Sequence, residues 1–268
     1  MQGRLLPKFQ GRFQAHPIGY WHDEFQLAAN LGFDCIEFIL DFDQVLENPL
    51  LVESGLTQIQ KLTADTGVRV LSVCADYFMV APLHSVETDI AHSSLKVLNK
   101  LMYACATLEV TDLVIPCVDI SSIRSKDDQD RLVNVLETIC GPAKDLKINL
   151  ALETDLGPYE FKEFLNRIPV SSVTVNYDIG NSASLGFDSG EEISAYGQRI
   201  SDVHIKDRVR GGGSVPLGTG DSKIIETFSM LQEINYCGPL ILQAYRGVSG
   251  LPETEQQLNY IKDLLLLL

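Results

Sequence analysis

Apolar residues along this chain follow two alternating patterns. Short runs rich in Val, Ile and Leu, with little polar alternation, are typical of parallel strands that are covered on both faces. They occupy seven segments: 33–40, 68–75, 112–118, 149–154, 173–178, 200–206 and 238–245. A short additional strand is predicted from residues 2–5 at the amino end.

Between these runs, apolar residues recur at helical spacing, which predicts amphipathic helices. Gly32 and Gly67 directly follow the first two, where a glycine suits the left-handed position after a helix. The predicted helices span 23–31, 56–66, 87–108, 127–145, 159–168, 191–199, 223–234 and 253–268.

The strict alternation of strands and helices limits the fold to two classes. It fits a (β/α)8 TIM barrel or an open, doubly wound sheet. The first strand–helix turn lacks the GxGxxG pattern of the dinucleotide-binding version of the open sheet. No stretch has the composition of a linker, so we predict a single TIM barrel domain over residues 1–268.

Composition and charge narrow the functional classes. Hydrophobic residues make up 45% of the chain, which excludes general disorder. Asp and Glu number 36 against 21 Lys and Arg, and the resulting net charge of −15 repels phosphate backbones. We therefore expect no nucleic-acid partner, and the excess of carboxylates favours a divalent cation.

The cysteines and the apolar runs bear on the cellular compartment. None of the six cysteines belongs to a CxxC pair, so we expect reduced thiols in a cytoplasmic protein. The amino end has no apolar segment of signal-peptide length. The longest apolar run, 264–268, is far shorter than the roughly 20 residues of a membrane span, so no membrane partner is expected.

Ionisable side chains stand at the ends of three consecutive predicted strands. Glu153, Asp178 and His204 are 25 and 26 residues apart, as the repeating unit requires. In a barrel, the carboxyl ends of the strands carry the chemistry. Two carboxylates and an imidazole suit one divalent metal ion: Mn²⁺, Mg²⁺, Co²⁺ or Zn²⁺. The alternative is that each is a strand-end polar group with its own local partner.

The segments ALETD, NYDIGN, SDVHIKDR, PLGTGD and GPLILQ occur in an order that resembles the sugar-phosphate isomerase/epimerase family with the xylose-isomerase-like barrel. The ketopentulose-5-phosphate 3-epimerases are the most similar activity class. The resemblance implies a divalent ion held by Glu153, Asp178, His204 and a fourth residue, which is Gln243 where the family has Glu. Relatives are often dimers or tetramers, so a homodimer or homotetramer is left open.

Gln243 changes what the resemblance implies about catalysis. An amide oxygen can bind a hard cation, but an amide cannot exchange a proton, and the family inverts its substrate with two carboxylates. We therefore predict a metal-dependent isomerase or epimerase that acts through an enediolate with Glu153 as the catalytic base. The alternative is a barrel that binds a sugar phosphate or metal with no catalysis or with altered chemistry. An abasic-site endonuclease is disfavoured, because Asn181 replaces one expected histidine.

A basic, glycine-rich segment follows the sixth run, 200–206. Lys206, Arg208 and Arg210 precede several glycines, and barrels commonly hold phosphate in this region. Arg246 follows the last run, and Glu37 ends the first one with a group that can bind hydroxyls. These five residues predict a site for a small-molecule sugar or sugar phosphate. The alternatives are a solvated surface loop and, for Glu37, an ion pair with a nearby Lys or Arg.

Overall fold

The computed structural model describes residues 1–3, 5–168, 172–248 and 250–267. Seven parallel strands form one sheet in the order β1-β2-β3-β4-β5-β6-β9. They are β1 (Cys35–Ile39), β2 (Arg69–Cys74), β3 (Asp112–Cys117), β4 (Asn149–Thr154), β5 (Val173–Asp178), β6 (Ile200–Ile205) and β9 (Leu240–Leu242). A separate antiparallel hairpin joins β7 (Asp207–Arg208) to β8 (Ser214–Val215).

The amino-terminal residues occupy the gap between the two edges of this sheet. Gln2 forms a parallel bridge with Glu37 of β1, and its backbone N–H donates to the carbonyl of Leu242 in β9 at 3.3 Å. Gly3 has a φ of 55°, which turns the chain out of the extended conformation immediately afterwards. The strand predicted at 2–5 is therefore a single bridge as far as it is described, since Arg4 lies outside the described residues.

Helices surround the sheet and confirm the predicted βα alternation of a (β/α)8 barrel. The helices are α1 (Asp23–Leu31), α2 (Glu53–Thr66), α3 (Tyr77–Val80), α4 (Thr88–Thr107), α5 (Lys126–Asp145), α6 (Pro158–Asn166), α7 (Ile179–Leu185), α8 (Ser189–Tyr196), α9 (Ile224–Glu233) and α10 (Leu251–Leu267). Gly32 and Gly67 follow α1 and α2 with φ of 76° and 73°, as predicted. In the described part of the chain, no helix is long and apolar enough to cross a membrane.

Two short helices, α3 and α7, were not predicted from the sequence. Each is too short to show a helical period of apolar residues. The start of α7 is fixed by Asp178, whose Oδ1 accepts from the backbone N–H of Asn181 at 2.8 Å. This contact ties the end of β5 to the following turn, and α7 thereby contributes to the site at the carboxyl end of the sheet.

The barrel interior differs from the layer between strands and helices. That outer layer is an apolar core that includes Phe25, Leu98 and Phe164. On the inner strand faces, Cys74, Val114 and Ala151 form a separate small cluster, and the neighbouring inward positions are polar. Burying so many polar groups is costly unless they are paired or bound to a ligand. The polar interior of the barrel is therefore the candidate location of a binding site.

A buried histidine before α1 gives the fold a specific pH dependence. The ring of His16 packs against Phe38 and Trp21, and burial lowers its pKa to about 4. In the unfolded chain a histidine takes up a proton below about pH 6.5, so the folded state loses stability as the pH falls from 6.5 to 4. We expect this loss to reach roughly 3 kcal/mol. In His16→Phe, the loss of free energy of unfolding between pH 6.5 and 4 should be smaller by about 3 kcal/mol. Unfolding by urea across this pH range measures the difference.

The matched control for this prediction is His92→Gln, which changes an exposed histidine on α4. This variant is expected to keep the pH dependence of the unaltered chain. An identical pH dependence in His16→Phe and in the unaltered chain would contradict the assignment to His16.

Candidate metal and active site

A cavity of about 480 Å³ opens at the carboxyl end of the barrel strands. Its wall includes Glu153 at the end of β4, Lys206 after β6 and Gln243 after β9. The segment before α1 supplies Arg12 and Gln14 to the same wall. The cavity therefore lies where a barrel of this class places its chemistry.

Glu153, Asp178 and His204 converge at the base of this end of the barrel. The Nδ1 atom of His204 lies 3.7 Å from Oε2 of Glu153 and 3.8 Å from Oδ2 of Asp178. One potential ligand atom from each residue lies within 4.8 Å of the others, and all three residues are buried. The strand register places Asp178 directly opposite His204. These side chains form a possible site for a divalent metal ion.

Glu37 orients the imidazole of His204 from below. The Nε2 atom of His204 lies 3.0 Å from Oε1 of Glu37, and the hydroxyl of Ser72 donates to Oε2 of Glu37 at 2.8 Å. With its Nε2–H directed at Glu37, the ring presents Nδ1 to Glu153 and Asp178. Carboxylate–histidine pairs of this kind commonly orient metal ligands. The Glu37 carboxylate thus lies beneath the possible metal site, and it is not among the described residues that line the cavity.

Gln243 lies beside the same nitrogen of His204. Its Nε2 donates to Oε1 of Gln2 at 2.5 Å and lies 3.4 Å from Nδ1 of His204. Its Oε1 is buried and has no hydrogen-bond donor among the described residues. A buried amide oxygen without a donor is costly, and a hard cation would satisfy it. Two carboxylates and one imidazole lie close enough together to suit a divalent ion, and the unsatisfied oxygen of Gln243 is compatible with this chemistry.

The two carboxylates at this site have opposite pKa shifts. Burial, together with the charge of Asp178, raises the pKa of Glu153 to about 7. Burial alone would also raise the pKa of Asp178, but the ammonium group of Lys206, 2.9 Å from its Oδ2, lowers it. The two neighbouring carboxylates therefore differ in proton affinity, and Glu153 is the weaker acid of the two.

Asn181 and Asn176 hold Glu153 in place. The Nδ2 atom of Asn181 donates to Oε1 of Glu153 at 2.7 Å, and that of Asn176 donates to Oε2 at 2.9 Å. The same Nδ2 atom of Asn176 also lies 3.2 Å from Nδ1 of His204. Its role was missed from the sequence, although its position two residues before Asp178 gives it the same inward direction.

The predicted substrate-binding cations have different positions. Arg208 and Arg246 line the cavity, and Lys206 lines it while paired with Asp178. Arg208 donates to Oδ1 of Asn181 at 2.8 Å, and Arg246 stacks over the ring of Phe13. Arg210 is exposed, lies against Gly186 and is not among the described cavity-lining residues.

The path of the Lys206 side chain depends on Gly180. A Cβ atom at Gly180 would lie 2.7 to 2.9 Å from Cβ, Cγ and Cδ of Lys206, which is too close for any side chain. We expect Gly180→Ala to displace Lys206 from Asp178 and to lower the free energy of unfolding by about 1–3 kcal/mol. Unfolding by urea measures the free energy of unfolding of Gly180→Ala and of the unaltered chain.

Gly141→Ala is the matched control, because a Cβ at that helical glycine meets nothing within 4 Å. It is expected to leave stability unchanged or to raise it by about 0.5–1 kcal/mol. Equal effects of the two substitutions would show that the Lys206 side chain does not require Gly180.

Comparison with known proteins supplies the class to which this barrel belongs. The family model for the xylose isomerase-like TIM barrel matches residues 25–264. The chain therefore belongs to this family. The L-ribulose-5-phosphate 3-epimerase UlaE of Salmonella typhimurium is 26% identical over 263 residues, which cover 90% of this chain and 88% of that protein.

Solved structures support the same fold at lower identity. E. coli 3-keto-D-glucoside 4-epimerase, YcjR, has a TM-score of 0.74 and 15% identity, with 90% of this chain and 94% of that chain covered. D-psicose 3-epimerase from Clostridium cellulolyticum, with D-tagatose, has a TM-score of 0.74 and 17% identity over 91% and 93% of the two chains. A xylose isomerase-like barrel from Mycobacterium smegmatis, in complex with magnesium, has a TM-score of 0.73 and 19% identity over 93% and 89%.

Proposed function

We propose that this chain is a divalent-metal-dependent epimerase or isomerase of a ketose or ketose phosphate. The observation that carries the proposal is the convergence of Glu153, Asp178 and His204 Nδ1 at the carboxyl end of the barrel. The epimerase names of the similar proteins support the substrate class. The proposed reaction removes the proton from the carbon next to the sugar carbonyl and forms an enediolate.

Four side chains would hold the metal: Glu153, Asp178, His204 and Gln243. A bound divalent ion supplies Lewis-acid polarisation of the carbonyl and lowers the cost of the negative charge that develops on deprotonation. The unpartnered Oε1 of Gln243 and the buried carboxylates support this assignment.

Glu153 would remove the proton. Its position on the cavity wall, beside the other two proposed ligands, suits a general base that acts on a metal-bound sugar. The amides of Asn181 and Asn176 would hold its two oxygens in a fixed orientation toward the substrate. Gln243 cannot exchange a proton, so its role would be confined to binding.

Arginines at the cavity would bind the remainder of the sugar. Arg12, Arg208 and Arg246 line the wall and offer guanidinium donors for hydroxyl or phosphate oxygens. Because Lys206 is paired with Asp178, we assign it to the metal side of the cavity rather than to phosphate binding.

A second candidate function is a barrel that binds a sugar phosphate and metal without catalysis, which Gln243 favours. Incubation with Mn²⁺ in D₂O, using L-ribulose 5-phosphate and D-psicose as probes, distinguishes the two functions. We expect deuterium in the carbon-bound position next to the carbonyl of at least one probe, with Mn²⁺, Mg²⁺, Co²⁺ and Zn²⁺ compared. Binding of a probe without deuterium uptake would instead support the non-catalytic barrel.

A further inference from the structure

A buried carboxylate outside the barrel has no part in the proposed reaction. Glu192 belongs to α8, and only 2% of its surface is exposed. Burying a carboxylate is costly unless its oxygens are paired or hydrogen-bonded. An apolar side chain could fill the same space at a lower cost, so the contacts of Glu192 are the guide to its role.

Three neutral hydroxyl groups donate to Glu192. The hydroxyl of Tyr177 donates to Oε2 at 2.9 Å. Those of Ser182 and Tyr196 both donate to Oε1, each at 2.8 Å. Tyr196 belongs to α8 itself, one helical turn after Glu192, whereas Tyr177 belongs to β5 and Ser182 to α7. The carboxylate of Glu192 therefore connects α8 to both β5 and α7.

Tyr177 and Ser182 flank the segment that presents Asp178 to the proposed metal site. Side chains alternate along β5, so Asp178 enters the barrel while Tyr177, directly before it, reaches outward to Glu192. Beyond Asp178, its Oδ1 accepts from the backbone N–H of Asn181 at 2.8 Å, and Ser182 is the next residue. The two hydrogen bonds to Glu192 therefore hold both ends of the turn from β5 into α7.

Other contacts of α7 lie elsewhere on the helix or on the other face of β5. The backbone N–H of Gly211 donates to the carbonyl of Ser184 at 2.8 Å, which holds the carboxyl end of α7. Inside the barrel, the ammonium group of Lys206 lies 2.9 Å from Oδ2 of Asp178. Glu192 holds the same turn from outside the barrel, without contact to the ligand atoms themselves.

We propose that Glu192 is a positioning residue, which holds Tyr177 and Ser182 so that Asp178 presents its Oδ2 atom to the divalent ion. This role rests on the proposed function, which assigns Asp178 to the metal site. Glu192 acts by restricting the orientations that the turn from β5 into α7 can adopt. Partners that orient a metal ligand in this way increase the affinity of its site.

Removal of the two flanking hydrogen bonds tests this role with Glu192 left in place. Tyr177→Phe and Ser182→Ala each remove one donor. We expect the double variant to bind Mn²⁺ about tenfold more weakly in calorimetric titration, at the lower end of the effect of partners that orient metal ligands. Each single variant is expected to show part of this loss, and the single variants replace the double variant if it does not fold.

Tyr196→Phe is the matched control. It removes a buried phenol hydroxyl that donates to the same carboxylate, at 2.8 Å compared with 2.9 Å for Tyr177. Tyr177→Phe and Tyr196→Phe are therefore expected to lose similar free energies of unfolding in urea. Because Tyr196 lies outside the turn that carries Asp178, Tyr196→Phe should keep its Mn²⁺ affinity within about twofold of the unaltered chain, whereas Tyr177→Phe should show a larger loss.

A second background shows whether the effect passes through Asp178. In Asp178→Asn, the anionic ligand has already been replaced. Adding Tyr177→Phe and Ser182→Ala to this background is expected to weaken Mn²⁺ binding by less than about twofold, because substitutions that act through one group are not additive.

The outcomes distinguish this role from the proposed function. Absence of Mn²⁺ binding by the unaltered chain would overturn both together. If the unaltered chain binds Mn²⁺, an unchanged affinity in the double variant would overturn the role of Glu192 alone. Equal losses of affinity in Tyr177→Phe and Tyr196→Phe would also overturn it, as would a loss that persists undiminished in the Asp178→Asn background.

Discussion

Glu153→Gln is expected to abolish deuterium uptake from D₂O into a ketose substrate. Glu153 is the cavity-lining carboxylate that lies beside Asp178 and His204. A glutamine keeps the size and one potential ligand oxygen but cannot accept a proton. Since general bases contribute about 10²–10⁴-fold, we expect a loss of at least that size at saturating Mn²⁺.

Saturating metal is essential to this comparison, because Glu153 is also assigned to the metal site. Calorimetry should therefore establish the Mn²⁺ affinity of Glu153→Gln before its exchange rate is measured. Glu160→Gln, which changes an exposed carboxylate on α6, is the control and should exchange like the unaltered chain. Substantial uptake by a metal-saturated Glu153→Gln protein would show that another residue removes the proton.

Asp178→Asn is expected to weaken Mn²⁺ binding by at least about 100-fold, because it replaces a buried anionic ligand with a neutral one. It has a second consequence, since Lys206 would lose the carboxylate that lies 2.9 Å from its ammonium group. Breaking a buried ion pair in this way costs about 3–5 kcal/mol of stability. Calorimetric titration and chemical unfolding measure the two effects separately.

The double variant Asp178→Asn with Lys206→Met separates these effects. It removes both charges of the pair, so we expect most of the lost stability to return while Mn²⁺ binding stays weak. Asp188→Asn, at an exposed helix start, is the control for metal affinity. Recovery of Mn²⁺ affinity in the double variant would mean that Asp178 influences the site only through Lys206.

The sequence was sufficient to predict the barrel and the meeting of three polar side chains at one end of its strands. Parallel strands that are covered on both faces leave apolar runs, and an ionisable group that ends such a run is conspicuous. Glu153, Asp178 and His204 were recognised in this way, and the structure brings them together. Their shared position follows from strand order, because the carboxyl ends of consecutive parallel strands lie at one end of the barrel.

Other parts of the site depend on contacts that no local pattern reveals. Glu37 was predicted to bind substrate, and the structure places it beneath His204 with Ser72, one strand away. Lys206 was predicted to bind an anion, and its ammonium group contacts Asp178. Both arrangements depend on side chains that are distant in sequence and meet only when the strands are aligned in register.

The contribution of the amino-terminal segment was also missed. Gln2 meets Gln243 across 241 residues of sequence, and Gln14 reaches Asp76 across 62. This segment contains no periodic run, because its described residues form turns and two isolated bridges. Its polar side chains are positioned by the closure of the barrel, which the sequence of the segment does not encode locally.

Diffraction at the manganese absorption edge, from crystals grown with Mn²⁺, tests the central claim most directly. We expect one anomalous peak per chain within about 2.0–2.6 Å of Glu153, Asp178, Nδ1 of His204 and Oε1 of Gln243. Absence of a peak at saturating Mn²⁺, or a peak that these side chains do not contact, would contradict the assignment of this cavity as a metal-dependent active site.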